Sequence, residues 1–236
     1  MGYLQAPPSR YPAIIPMRLV GDAGQCLKPR LRGVSHKYAA WAAAVAGLGL
    51  VVAAPTQRAR LALAVYALAL VSLFATSALY HRITWPPVGR QRMRRLDHAM
   101  IFVLIAGTYT PFATLVLSAS SGVVVLVVAW SAALAGVALQ FAWSAAPKWL
   151  MALLCVAVGW VALATLPELW HEVGPVAIAL LVGGGALYTL GAVTYGLRRP
   201  DPAPTLFGYH EVFHALVIGA ALLHFVAVAG WVLPRS

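Results

Sequence analysis

The chain has 236 residues, of which 61 % are hydrophobic and 10 % charged, with a mean hydropathy of +0.81. A water-soluble domain carries roughly a quarter charged residues, so a soluble globular protein is excluded. The net charge of +11 does not point to nucleic acid, because the basic residues fall in short connecting segments without a folded surface of interleaved aromatics.

Taken in chain order, residues 1–36 are rich in Pro, Arg and Lys and lack the apolar core of a signal peptide. They read as a basic, flexible cytoplasmic tail. Residues 37–236 read as one membrane domain containing seven apolar blocks: 38–54, 61–80, 99–117, 123–143, 149–166, 175–197 and 212–233. A bilayer core of ~30 Å takes ~20 helical residues to cross, and only helices or closed barrels satisfy their backbone there. The alternation of a barrel strand is absent, so the predicted fold is all-α with seven transmembrane helices. Cys26 in the tail and Cys155 in the fifth block do not form a disulfide framework.

Lys and Arg set the direction. The tail with Lys37 beside it, and the second-to-third, fourth-to-fifth and sixth-to-seventh connections, together hold fourteen of them; the opposite connections and C-terminus hold Arg58, Arg60 and Arg235. The positive-inside rule then puts the N-terminus in the cytoplasm and the C-terminus outside. The basic segments also face anionic headgroups, so membrane lipids are partners.

With that direction, His81 closes the second span, Asp97 opens the third, and His210 and His214 open the seventh. All four reach the cytoplasmic side. His210 and His214 stand roughly 40° apart on a helical wheel and share a face. Two such nitrogens and one from His81 make a three-histidine site with a free fourth position, the pattern of catalytic zinc. Ser77, four residues before His81, is placed to orient that ring or contact water, and Asp97 to accept a proton from the water. Without metal, the same groups would form a proton relay.

Other polar residues read as structural. His224 is a helix–helix hydrogen-bonding residue about 15 Å deeper; His98 packs locally; His36 is interfacial; Glu168, His171 and Glu172 are solvated on the outer side; and Glu211 caps the seventh helix. Pro111 is expected to kink the third span, with neighbouring threonines taking up the freed carbonyl. Gly183-Gly184-Gly185 permits close helix contact.

Three stretches carry a family resemblance: Ser77-Ala78-Leu79-Tyr80-His81, Leu96-Asp97-His98 leading into Gly107-Thr108-Tyr109-Thr110-Pro111-Phe112, and His210-Glu211-Val212-Phe213-His214 with His224-Phe225. Together they resemble the bacterial hemolysin III proteins, grouped with the progestin and adiponectin receptor (PAQR) family and, more distantly, alkaline ceramidases. The resemblance implies seven helices, zinc held by His81, His210 and His214, and Asp97 on the water, with Ser77 completing its motif. It further implies a bacterial inner (plasma) membrane and hydrolysis of a lipid amide such as ceramide.

A zinc-dependent hydrolase of a lipid amide, with Asp97 as general base, is the leading expectation. The alternative is a non-enzymatic receptor-like or pore-forming, cytolytic protein with structural zinc. A carboxylate beside an open metal position favours chemistry, and Ser131, Gln140 and Thr194 are too scattered to line a pore. A transporter ranks third, for want of paired broken helices. Substrate and oligomeric state are not written in the chain.

Overall fold

The computed structural model describes residues 29–143 and 147–236, with the backbone of 20–21 and 25–26. Most of the expected 1–36 tail, including the side chain of Cys26, lies outside the described residues. Within it, Val20–Gly21 and Gln25–Cys26 pair as a two-residue antiparallel ladder.

The rest is helical. The helices are α1 (Val34–Ala53), α2 (Gln57–Arg82), α3 (Pro87–Leu115), α4 (Ala119–Ala142), α5 (Lys148–Gly159), α6 (Leu166–Leu197) and α7 (Tyr209–Ala227). A π turn, Val228–Val232, and a 3-10 turn, Leu233–Arg235, extend α7. Capping chemistry sets several starts. Thr56 accepts from the Ala59 amide at 3.1 Å ahead of α2, and Pro87 opens α3 at a position where its missing N–H costs nothing. That start lies twelve residues before the apolar block at 99, because 87–98 is helical yet too basic to register as apolar.

Six helical stretches among the described residues are long and apolar enough to cross a bilayer. Their outward faces fit lipid. On α1, Tyr38, Trp41, Val45, Leu48 and Val52 follow a three-four spacing and are all exposed, an apolar stripe that water would penalise. α2 lies at the centre, with Leu63, Tyr66, Leu70, Leu73 and Phe74 buried against α1 on one side and α3 on the other. α4 packs on α3, α6 on α7, and α7 meets α1.

Where the sequence predicts separate spans over 149–166 and 175–197, one helical stretch, Trp149–Leu197, runs for 49 residues. It is not straight. Gly174 has φ 76 and ψ 176, a conformation that glycine adopts readily, and Pro175 disfavours helical geometry in the residue before it. The chain doubles back there: the Trp160 indole N–H donates to Thr189 Oγ1 at 3.1 Å. Tyr109 of α3 holds the break after α5. Its hydroxyl donates to the Gly159 carbonyl at 2.7 Å and accepts from the Ala162 amide at 3.0 Å.

Two local expectations have different outcomes. A Cβ on Gly184 would stand 2.3 Å from the His224 ring, so this glycine does bring α6 and α7 together. His224 Nε2 then bonds the Leu181 carbonyl at 3.1 Å across the same contact. The threonines around Pro111 behave otherwise. Thr108, Thr110 and Thr114 donate to the carbonyls of Leu104, Ala106 and Thr110. Each hydroxyl reaches one turn back from its own position, which misses the Gly107 carbonyl that Pro111 leaves without a donor.

Candidate metal centre

His81 sits in the last turn of α2 and is 6 % exposed; His214, in the second turn of α7, is 1 % exposed. With His210 they form a cluster whose ligand nitrogens all lie within 4.8 Å of one another. His81 Nε2 and His210 Nε2 face each other at 3.0 Å. Nitrogens sharing one tetrahedral ion of this type stand about 3.3 Å apart. Three imidazole donors are also the set that suits a borderline-soft divalent ion, and His214 Nδ1 is buried without a hydrogen-bond partner. The residues therefore fit a metal, and His81, His210 and His214 could hold one.

Asp97 lies on α3 with Oδ2 3.9 Å from His81 Nε2. Ser77, buried one turn before His81, is a side-chain hydrogen-bond partner of Asp97. The five residues singled out in the sequence thus meet at one end of the bundle. Ser77 thus reaches the carboxylate beside His81.

Several neighbours escaped the sequence reading. His36, expected at the interface, is 2 % exposed. Its ring stacks on His214, with centroids 3.7 Å apart and an interplanar angle of 17°. Tyr195 of α6 packs its ring edge-on to His210 and to His98. His98 therefore makes a contact across to another helix.

The chain before α1 straps the cluster. The amides of Arg30 and Leu31 donate to the carbonyls of Thr205 and Leu206 at 3.1 and 3.2 Å, and the Arg32 guanidinium pairs with Glu211. Glu211 Oε2 also accepts from the Gly208 amide at 2.8 Å, so its capping role holds and an ion pair is added to it. Because Glu211 is buried and Arg32 is 19 % exposed, Arg32→Met is expected to cost about 2 kcal/mol, below the range for a fully buried pair. Chemical denaturation in detergent micelles measures this; no loss relative to wild type would make the pair ornamental.

Gly33 completes the strap. Its φ is 75, and a Cβ there would lie 2.5 Å from the His81 Cβ. Gly33→Ala is expected to combine left-handed strain with a steric push on the α2 terminus. It should lower stability by about 2 kcal/mol and weaken metal retention, read by dialysis against a competing chelator.

At the far end of the bundle, His171 and Glu172 are exposed as expected. Glu168 is engaged with protein: it accepts from the Ser118 amide at 2.5 Å, at the start of α4.

A cavity of about 300 Å³ leads away from the cluster. Asp97, His36, His210 and His214 line its head; Leu104, Phe112, Leu117 and Leu169 line its depth, and the half-buried free thiol of Cys155 lies on its wall. From Asp97 to Phe112 the α3 wall runs about 22 Å, most of the thickness of a hydrocarbon core. Buried imidazoles at the head of this apolar cavity, inside a bundle with lipid-facing stripes, define a multi-pass helical membrane protein with a candidate metal centre. The haemolysin-III related family matches residues 24–225. Hemolysin-3 of Bacillus cereus is 29 % identical over 181 residues, covering 77 % of this chain and 80 % of that protein. The Hemolysin-3 homolog of Bacillus subtilis (strain 168) is 28 % identical over 164 residues, covering 70 % and 74 %. The chain belongs to the haemolysin-III related family.

Proposed function

We propose that this protein is a zinc-dependent membrane hydrolase that cleaves the amide bond of a lipid. The observation that carries the reading is the meeting of three imidazoles and one carboxylate, of which His210, His214 and Asp97 line the head of a largely apolar cavity. His81, His210 and His214 would hold the zinc, which when bound polarises a carbonyl and brings the pKa of water to about 7. Asp97 takes a proton from the attacking water and delivers it to the departing amine nitrogen. The water oxygen bonds to the acyl carbon as the C–N bond breaks, leaving a fatty acid and a free amine. Ser77 holds the Asp97 carboxylate in place for both transfers. The cavity receives the acyl chain and excludes bulk water from the site. A ceramide-like amide is the substrate that the resemblance to the PAQR family and alkaline ceramidases suggests.

The same proposal includes seven spans. The reversal at Gly174 divides Trp149–Leu197 into two passes, and an odd number of passes puts the termini on opposite sides. With fourteen of the seventeen Lys and Arg on the N-terminal side, that side is the cytoplasm and holds the metal centre.

Purified, zinc-loaded protein is expected to release fatty acid from at least one single-chain lipid amide, measured by mass spectrometry, with release abolished in His214→Ala. No release above a protein-free control from any amide in a panel of varied head groups would sink the reading. The name of the Bacillus cereus relative refers to haemolysis, which would suggest a pore. A pore wants a polar lumen, whereas the walls named here are largely apolar. Conductance across planar bilayers at low protein concentration would favour the pore.

A further inference from the structure

The basic residues around the start of α3 divide into two groups. Arg82, Arg90 and Arg92 are exposed, as cytoplasmic charges at a membrane surface commonly are. Arg94 and Arg95 are half-buried and line the cavity beside Asp97. Arg95 Nε is fully buried with no hydrogen-bond partner. Among the described residues, the ion pairs join Arg32 to Glu211 and His81 to Asp97, and Asp97 is the one acidic residue on the cavity wall. Two guanidinium groups thus line a largely apolar cavity whose one acidic side chain is Asp97.

A buried guanidinium N–H left without an acceptor, as at Arg95 Nε, is costly, and guanidinium groups match carboxylate and phosphate oxygens. Position narrows the ligand further. Arg94 precedes Asp97 by three residues, about 4.5 Å along the helix axis, on the side away from the apolar depth. An acyl chain in the cavity with its amide at Asp97 would therefore hold its amine portion beside Arg94 and Arg95. We propose that this cavity binds single-chain lipid amides whose amine portion carries an anionic group, carboxylate or phosphate, one helical turn from the amide, and that Arg94 and Arg95 bind that group. The inference takes the position of the amide at Asp97 from the hydrolase reading, whereas the binding of an anionic head group by Arg94 and Arg95 is tested without turnover.

The test uses three amphiphiles of identical acyl chain: an N-acylglycine, an N-acylethanolamine and the phosphate ester of that N-acylethanolamine. Binding to the full-length protein is titrated by native mass spectrometry, and fatty-acid release is assayed separately. At least one anionic ligand is expected to bind about tenfold or more tightly than the neutral one, and which of the two wins identifies the anionic group. Arg94→Gln with Arg95→Gln should remove the preference while leaving neutral binding unchanged. Arg94→Lys with Arg95→Lys should keep most of it, which separates charge from folding. The ranking should persist in Asp97→Asn, where turnover is blocked. Equal binding of all three by wild type, or equal weakening of all three in the glutamine variant, would overturn the proposal. A preference without hydrolysis would leave it standing and defeat the enzyme reading; hydrolysis without preference would do the reverse.

Discussion

Asp97→Asn is expected to lower lipid-amide turnover about a thousandfold, within the range for loss of a general acid–base group, while leaving metal binding within a few-fold of wild type. The geometry separates the two effects. Asp97 approaches His81 Nε2 no closer than 3.9 Å and belongs to a different helix from all three imidazoles. Asparagine fills nearly the same volume and can keep a hydrogen bond to Ser77, but it cannot accept and return the proton. Ser77→Ala should cost far less, about tenfold, because it loosens the carboxylate without removing it. The pair is checked by steady-state turnover together with metal content on the same preparations. If Asp97→Asn kept wild-type turnover, the carboxylate would have no chemical role and the site would revert to a structural clamp.

The second large effect concerns stability. His81 ends α2, and His210 and His214 begin α7, so a shared ion ties together two helices far apart in the chain. A ligand present at a thousand times its Kd stabilises the folded state by about 4 kcal/mol. Treating purified protein with a strong chelator is expected to lower its thermal midpoint markedly, and adding zinc back should restore it. His214→Ala should start near the chelated value and respond to neither treatment. A chelator effect of equal size in wild type and His214→Ala would place the responsible metal elsewhere.

Much of this site was legible from residue spacing and charge. His210 and His214 share a helix face at any orientation of the chain, so their pairing needs no tertiary information. Bringing His81 and Asp97 to them required only chain direction, which the lopsided distribution of Lys and Arg supplied. The same reasoning could have included His36, because it lies at the start of the first span on that same side. Its position at the first membrane boundary makes it read as interfacial, and its stacking on His214 depends on how α1 meets α7. The pairing of Arg32 with Glu211, 179 residues apart, leaves no local trace. The position of Gly33 against His81 leaves none either, since nothing in the chain says which residue a glycine will face.

The fold was legible to a similar depth. Long apolar blocks marked the helices, and Gly174-Pro175 fell at the break between two of them. Hydropathy missed the first turns of α3, where arginines continue the helix beyond the apolar region. That omission concealed Arg94 and Arg95, which read as loop charges in the sequence and line the cavity in the structure. The threonines near Pro111 show a finer limit: their hydroxyls bond backward along the helix, and composition alone does not say which carbonyl they meet.

Elemental analysis of the full-length protein, purified without added metal or chelator, tests the metal centre most directly. One zinc per chain is expected in wild type and less than about a tenth of that in His210→Ala and His214→Ala, because three neutral imidazoles bind zinc far more tightly than two. A wild-type protein that is folded, and that carries no zinc even after incubation with the ion, would contradict it.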